Sequence, residues 1–361
     1  MTIGENIYKI DTPALWVDLN SMESNIQLIG SRMKAANVDW RPHTKGIKIP
    51  AIAHKLLAAG AIGITCAKLG EAEVMAAGGV QDILIANEVV GTLKIKRLVA
   101  LRAHANPMVA VDDFDNAREI SDLAAAAGRK IRVLLELNIG MERAGLTPGQ
   151  PTLEFAQKIV DLPGLEFCGV MGWEGHVVGI EDPQEKQQVG EKAIQALVDS
   201  ANLLREKGIA VPIVSCGGSG SYKISSNVPG VTEIQAGGAI LGDQTYEAWG
   251  ADIIPGLFVM TTVSSHAVPE RAIVDAGRKS MNCEVFMPKV TNLEGIELTS
   301  LSAEHGVLEI KDSDIKIKVG DRVNFVVGYG DWTVFLHNQM YGVRDDVVEM
   351  VWEIQGRGHL T

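Results

Sequence analysis

Trp40-Arg41-Pro42-His43-Thr44-Lys45 closes the first of eight short, β-rich apolar runs that alternate with helical periodicity between Asp39 and Gly238. The others are 62–66, 83–86, 108–111, 131–138, 166–171, 213–216 and 232–235, and the first itself covers 40–43. Between them, 47–59, 92–104, 114–127 and 184–207 carry apolar residues at helical spacing. Eight strands alternating with helices predict a (β/α)8 barrel rather than an open doubly wound sheet. No G-x-G-x-x-G follows the first strand, which argues against a dinucleotide fold. A lysine just past a strand, as Lys45 is, can form a Schiff base with an aldehyde cofactor. Lysine amines become nucleophilic where burial or neighbouring cations depress their pKa.

After Pro255 the texture changes. Residues 259–265, 271–275, 315–319, 322–327 and 347–354 read as strands between Gly, Asp and Asn turns, with little helical periodicity. The earliest strand-like run, 14–18, precedes the first barrel helix and has no barrel position, so it is expected to pair into this β appendage. The predicted division is a barrel over 20–254 and a discontinuous, mostly β domain of 1–19 and 255–361.

With 361 residues, 46% of them hydrophobic, the chain can bury a large core. A net charge of −12 argues against nucleic acid and anionic membrane as partners, since both reward basic surface. No apolar run reaches the ~18 residues of a membrane span. The opening Met1–Asp11 is polar and carries acids, unlike a signal peptide. Cys66, Cys168, Cys216 and Cys283 show no paired spacing and read as reduced core thiols of a cytoplasmic protein.

Active sites of such barrels lie at the C-terminal ends of the strands. Lys45 follows the first strand, and Asn138-Ile139-Gly140-Met141-Glu142-Arg143-Ala144-Gly145 follows the fifth. Trp173, Glu174 and His176 follow the sixth, Ser215-Cys216-Gly217-Gly218-Ser219-Gly220-Ser221-Tyr222 the seventh, and Gln235-Ala236-Gly237-Gly238 the eighth. Glycine frees backbone N–H groups to converge on an anion, and the last two loops are the usual phosphate site of a barrel.

Arg41-Pro42-His43-Thr44-Lys45 resembles the cofactor-lysine motif of the D-threonine aldolase and D-serine dehydratase group, pyridoxal phosphate enzymes with the alanine racemase-like fold. The resemblance runs over nearly the whole chain. It takes in Asp11-Thr12-Pro13-Ala14, Ala86-Asn87-Glu88-Val89-Val90-Gly91, Ser302-Ala303-Glu304-His305-Gly306, Gly342-Val343-Arg344 and Gly356-Arg357-Gly358. It implies that Lys45 carries the cofactor, with Lys48 as the alternative. Arg143 is implied beside the cofactor's phenolic oxygen, and Gly217, Gly218, Ser219, Gly220, Gly237 and Gly238 around its phosphate. Gln235 falls at the position near the pyridine nitrogen. Trp173 and His176 are candidates to meet the substrate, with a structural role the alternative for His176.

Members of the group carry a late His-x-Asp or His-x-Cys pair that binds a divalent metal, Mn²⁺ or Mg²⁺. Two registers compete here. His337-Asn338-Gln339 supplies a histidine but no anion, whereas Tyr329-Gly330-Asp331 supplies the carboxylate with tyrosine in place of histidine. The second needs no gap before the C-terminal strand. Tyrosine is a weak ligand for a divalent ion, which puts the metal in question.

By this resemblance the chain is expected to be a lyase acting on a β-hydroxy D-amino acid. Retro-aldol cleavage to an amino acid and an aldehyde leads, with Asp331, His305, Tyr329 or His337 near the hydroxyl. A D-serine or 3-hydroxyaspartate dehydratase is the alternative. An amino acid racemase using Tyr329 as second base and a non-catalytic cofactor carrier are the further rivals. The implied partner is a small amino-acid substrate, and the implied assembly a homodimer.

Overall fold

Short strands and helices alternate through the first two thirds of the chain in the computed structural model, which describes residues 3–311 and 314–361. Strand β1 (Ala14–Asp18) and helix α1 (Leu19–Ala36) come first. The chain then divides into two units, one of Ile29–Lys45, Pro50–Gly237 and Gly358–Thr361, the other of Met1–Leu28, Gly46–Ile49 and Gly238–Arg357.

The first unit is the predicted barrel. Its order is β2 (Asp39–Trp40), α2 (Pro50–Ala58), β3 (Ile64–Cys66), α3 (Leu69–Ala77), β4 (Asp82–Glu88), α4 (Thr92–Leu101), β5 (Asn106–Val111), α5 (Phe114–Ala126), β6 (Ile131–Glu136), α6 (Gln150–Ile159), β7 (Leu165–Met171), α7 (Pro183–Glu206), β8 (Ile213–Cys216), α8 (Tyr222–Ser225) and β9 (Glu233–Ile234). The strands pair in parallel in the order β2-β9-β8-β7-β6-β5-β4-β3. The ring closes between its ends, where His43 bridges Thr65 and the N–H groups of Ile62 and Thr65 reach the carbonyls of Trp40 and Pro42, each at 2.9 Å. Pairing also continues beyond β2, since Arg41 and His43 donate to the carbonyls of Ile234 and Gln235. That extension leads the chain directly to Lys45.

Register explains why the strands are apolar throughout. Leu84 stands opposite Met108 and Ala110 opposite Leu134, so their side chains share one face and join Cys168 and Met171 in a buried cluster. Each fully buried Leu or Met contributes roughly 1.5–3 kcal/mol. Asp113 and Asp182 cap α5 and α7 by accepting the N–H groups of Asn116 and Glu185, worth ~1 kcal/mol each. A charged network is buried in the same unit. Arg41, 2% exposed, pairs with Glu233 at 2.7 Å and with Asp82 at 2.5 Å, and Asp82 also takes Arg132 at 2.7 Å.

The second unit is mostly β. After α9 (Gln244–Ala248) come β10 (Leu257–Val268), β11 (Arg271–Val274), β12 (Lys289–Val290), β13 (Ile296–Leu301), β14 (Gly306–Ile310), β15 (Arg322–Val326), β16 (Gln339–Arg344) and β17 (Val347–Glu353). The main sheet path is β13-β14-β11-β10-β1-β16-β17, with β15 on β10 and β12 on β15. The early strand β1 pairs antiparallel with β10 and parallel with β16, so it does belong to this sheet. Ile7, Ile10, Ala14, Met260, Val343 and Val348 form its core.

Among the described residues the expected strand 315–319 does not form, and Ile317 is its one buried residue. Met1, Thr2, Asp312 and Ser313, which fall within the expected β domain, lie outside the described residues. All four cysteines are free thiols. Among the described residues no helix is long and apolar enough to cross a membrane.

Candidate active site

In the barrel unit the strand ends gather Lys45, Arg143 and Trp173. The Lys45 ammonium stands 5.5 Å from the centre of the Trp173 ring, and the Arg143 guanidinium 5.2 Å from the same centre. A cation over an indole gains roughly 0.5–2 kcal/mol, so Trp173 helps to hold both side chains. Arg143 is half exposed, with Nη2 3.7 Å from Oε1 of Glu136 at the end of β6. Its loop is shaped by Asn138, whose Oδ1 accepts the N–H groups of Gly140 and Glu142, and by Asp112, which accepts that of Gly145.

Glu136 was not anticipated from sequence. Burial pushes its carboxyl up to about 7, and Glu88 at the end of β4 adds to the shift while Arg143 opposes it. An acid closing an otherwise buried strand was the signal available.

The loop after β8 rests on a second buried carboxylate. Glu174 accepts the Ser221 and Ser225 hydroxyls at 2.6 and 2.5 Å and the Gly217 N–H at 3.3 Å. Gly218 donates to Ser221 Oγ, while Ser219 is buried beside it. The N–H groups of Gly220 and Gly237 make no hydrogen bond among the described residues, although Gly237 is buried. Such donors await an acceptor. Gly237 must be glycine because an added Cβ would stand 2.3 Å from the His43 carbonyl oxygen.

Gln235 is also buried. It donates to Ser215 Oγ at 3.0 Å, and Ser215 donates to Glu233 at 2.7 Å, which joins Gln235 to the Arg41 network. His176 is exposed in a short turn after β7, its ring beneath Gly140.

The second unit holds Tyr329 and Asp331. Tyr246 Oη donates to Asp331 Oδ1 at 3.0 Å, and Tyr329 Oη to Oδ2 at 3.2 Å. Burial first, and then the Asp331 charge, raises both tyrosine hydroxyls above their ordinary range. Asp243 caps α9, accepts the N–H groups of Tyr246 and Gly330, and is pushed up to about 8 by burial. Gly238 lies against the Tyr246 hydroxyl, where a Cβ would stand 2.1 Å away. An added Cβ at Gly46 would stand 2.2 Å from Asp331 Oδ1. The carboxylate therefore abuts the backbone of the residue that follows Lys45 in the chain. Tyr246 and Asp243 were also missed from sequence, where a capping aspartate before a short helix was the visible cue.

The remaining candidates make contacts of their own. His305 is exposed in the turn between β13 and β14, its backbone bonded to Ser302. His337 is half-buried, with Nε2 2.8 Å from the Ser280 carbonyl, and burial lowers its pKa. Lys48 is 7% exposed, in positive-φ backbone against Gly356.

A buried glycine loop with unpaired donors suits an anion such as a phosphate, and a lysine at the first strand's end suits a carbonyl carbon. Comparison with known proteins points the same way. The alanine racemase N-terminal domain matches residues 17–245, and the putative serine dehydratase domain matches 256–343. A D-threonine aldolase from Arthrobacter sp. is 36% identical over 359 residues, covering 98% of this chain and 95% of that protein. The 3-hydroxy-D-aspartate aldolase of Paracoccus denitrificans (strain Pd 1222) is 33% identical, covering 98% and 94%. The crystal structure of D-threonine aldolase from Filomicrobium marinum superposes with a TM-score of 0.97 at 33% identity, covering 100% of this chain and 99% of that one.

Proposed function

Because the chain belongs to the alanine racemase-fold family of pyridoxal phosphate lyases that includes D-threonine aldolase, we propose that it cleaves a β-hydroxy D-amino acid between Cα and Cβ. The products are an amino acid and an aldehyde. In this reading residues 20–254 hold the cofactor, residues 1–19 and 255–361 form the β domain, and the protein works as a cytoplasmic homodimer.

Pyridoxal phosphate supplies an electron sink for the pair released from Cα when one of its bonds breaks. The fit to this chain rests on the unpartnered N–H groups of Gly220 and Gly237. With Ser219 and Gly238, they are the donors we assign to the phosphate, in a loop that Gly217 and Gly218 anchor through their own N–H bonds to Glu174 and Ser221. Lys45 is the amine for the cofactor's aldehyde carbon. Arg143, held over Trp173 and paired with Glu136, is the cation we assign to the phenolic oxygen. Gln235 would offer a neutral amide to the pyridine nitrogen. Trp173 and His176 border the substrate.

One observation carries the reaction type: the Asp331 carboxylate lies against Gly46, the residue bonded to Lys45. Asp331 takes the β-hydroxyl proton as the C–O bond becomes a carbonyl, Cα–Cβ breaks, and Cα is then reprotonated. Tyr329 supports Asp331 through its hydrogen bond. His305 and His337 have no part in this assignment.

Purified protein should be given paired D- and L-β-hydroxy amino acids, with aldehyde, 2-oxo acid and alanine enantiomer scored separately. D-threonine is expected to give aldehyde and glycine, L-threonine neither, and D-alanine negligible L-alanine. Rapid alanine racemisation lost in Tyr329→Phe, without aldehyde or 2-oxo acid from any hydroxy substrate, would reverse the assignment.

A further inference from the structure

The surroundings of Asp331 are unlike those of a metal ligand. Each carboxylate oxygen already accepts a tyrosine hydroxyl, Tyr246 on Oδ1 and Tyr329 on Oδ2. The Gly46 backbone closes a further side, within the reach of a single methyl group. Asp243, the neighbouring carboxylate, is turned to the backbone N–H groups of Tyr246 and Gly330. Hard divalent ions select anionic oxygen or imidazole ligands, and a neutral phenol is neither. An ion at Asp331 would also face two O–H groups whose protons point at the oxygens it needs. Among the described residues no three His, Cys, Asp or Glu side chains converge on a metal position. The donor set does not fit the divalent metal that the family resemblance implies.

Resting on the lyase reading above, we propose that Tyr246, Asp331 and Tyr329 form a metal-independent hydroxyl site, with Tyr246 a positioning residue for Asp331. The two tyrosine donors, one on each oxygen, fix the orientation of the carboxylate, whose chemistry is to accept a proton from a hydroxyl. The tyrosines are themselves held by aromatic packing. Tyr329 lies edge-on to Tyr246, Trp249 and Trp332, with ring centres 5.7, 5.9 and 5.3 Å away. This arrangement also selects the reaction. Loss of hydroxide benefits from a Lewis acid on the oxygen, whereas retro-aldol cleavage needs a proton acceptor there. The triad supplies the acceptor, so aldehyde should far exceed 2-oxo acid.

The test is a Mn²⁺ titration of the chelator-treated holoenzyme, followed by electron paramagnetic resonance, alongside turnover before and after chelation. The wild type is expected to keep its full aldehyde-forming rate and to bind no stoichiometric Mn²⁺ at millimolar concentration. Tyr246→Phe should lower kcat by roughly 10–100-fold, the loss of one hydrogen bond to a charged group, with KM and the cofactor absorbance little changed. Tyr329→His should create a Mn²⁺ site; if that variant does not fold, the wild-type titration and Tyr246→Phe decide. Stoichiometric Mn²⁺ binding by the wild type that is lost in Asp331→Asn would overturn the proposal, whatever the activity. An absence of turnover with every hydroxy amino acid would instead overturn the lyase reading.

Discussion

Replacing Glu136 with glutamine isolates the strongly shifted carboxyl that pairs with Arg143 at the end of β6. Glu136 is 5% exposed, and its carboxyl is pushed from 4.5 up to about 7 by burial and by Glu88. The folded protein therefore holds a proton there that the unfolded chain releases. Stability from this group is fully present below about pH 4.5 and is lost as pH rises through about 7. A shift of about 2.5 units corresponds to ~3 kcal/mol lost across that window. Glutamine keeps the shape and cannot ionise, so Glu136→Gln should gain about that much relative to wild type between pH 5 and pH 8. Urea unfolding of both cofactor-free proteins at the two pH values measures it, because groups that do not interact with Glu136 cancel in the double difference and Glu88, which does, titrates as part of the same pair. The argument fails if the variant and wild type differ by the same amount at both pH values.

Two other substitutions probe the framework of the site. Gly46→Ala should displace Asp331, since the new methyl would meet Oδ1 at 2.2 Å. Aldehyde formation should fall at least ~10-fold while the cofactor absorbance persists, and unchanged kcat would detach Asp331 from the reaction. Arg41→Ala strands Glu233, whose side chain is 2% exposed, and should cost about 3–5 kcal/mol of unfolding free energy. A loss under about 1 kcal/mol in a denaturation curve would show that Glu233 finds another partner or stays neutral.

The barrel was legible because its strands are buried on both faces and separated by well-spaced helices. Residues 213–216 match β8 fully, and 166–171 misses β7 by one residue. The β unit was harder. Its strands β13 and β14 alternate buried and exposed residues until a bulge between Leu298 and Ser300 shifts the register, and they enclose Ser302-Ala303-Glu304-His305, a stretch legible as a motif before it is legible as a hairpin turn. Residues 315–319 alternate Ile and Val with Lys, yet alternation describes a strand only where a neighbour supplies the ladder, and none does among the described residues.

At the site, glycine loops and the strand-end lysine announce themselves by spacing. Tyr246 does not: it reaches Asp331 from 85 positions away in sequence, a proximity that only the folded chain creates. Glu136, too, owes its unusual carboxyl first to burial and then to Glu88, a neighbour across two strands rather than along the chain.

The most direct measurement of the central claim is borohydride reduction of the holoprotein followed by peptide mapping. The account predicts a single pyridoxyl adduct, on the peptide that contains Lys45, and none in Lys45→Ala. An adduct on Lys48, or none anywhere, would contradict it.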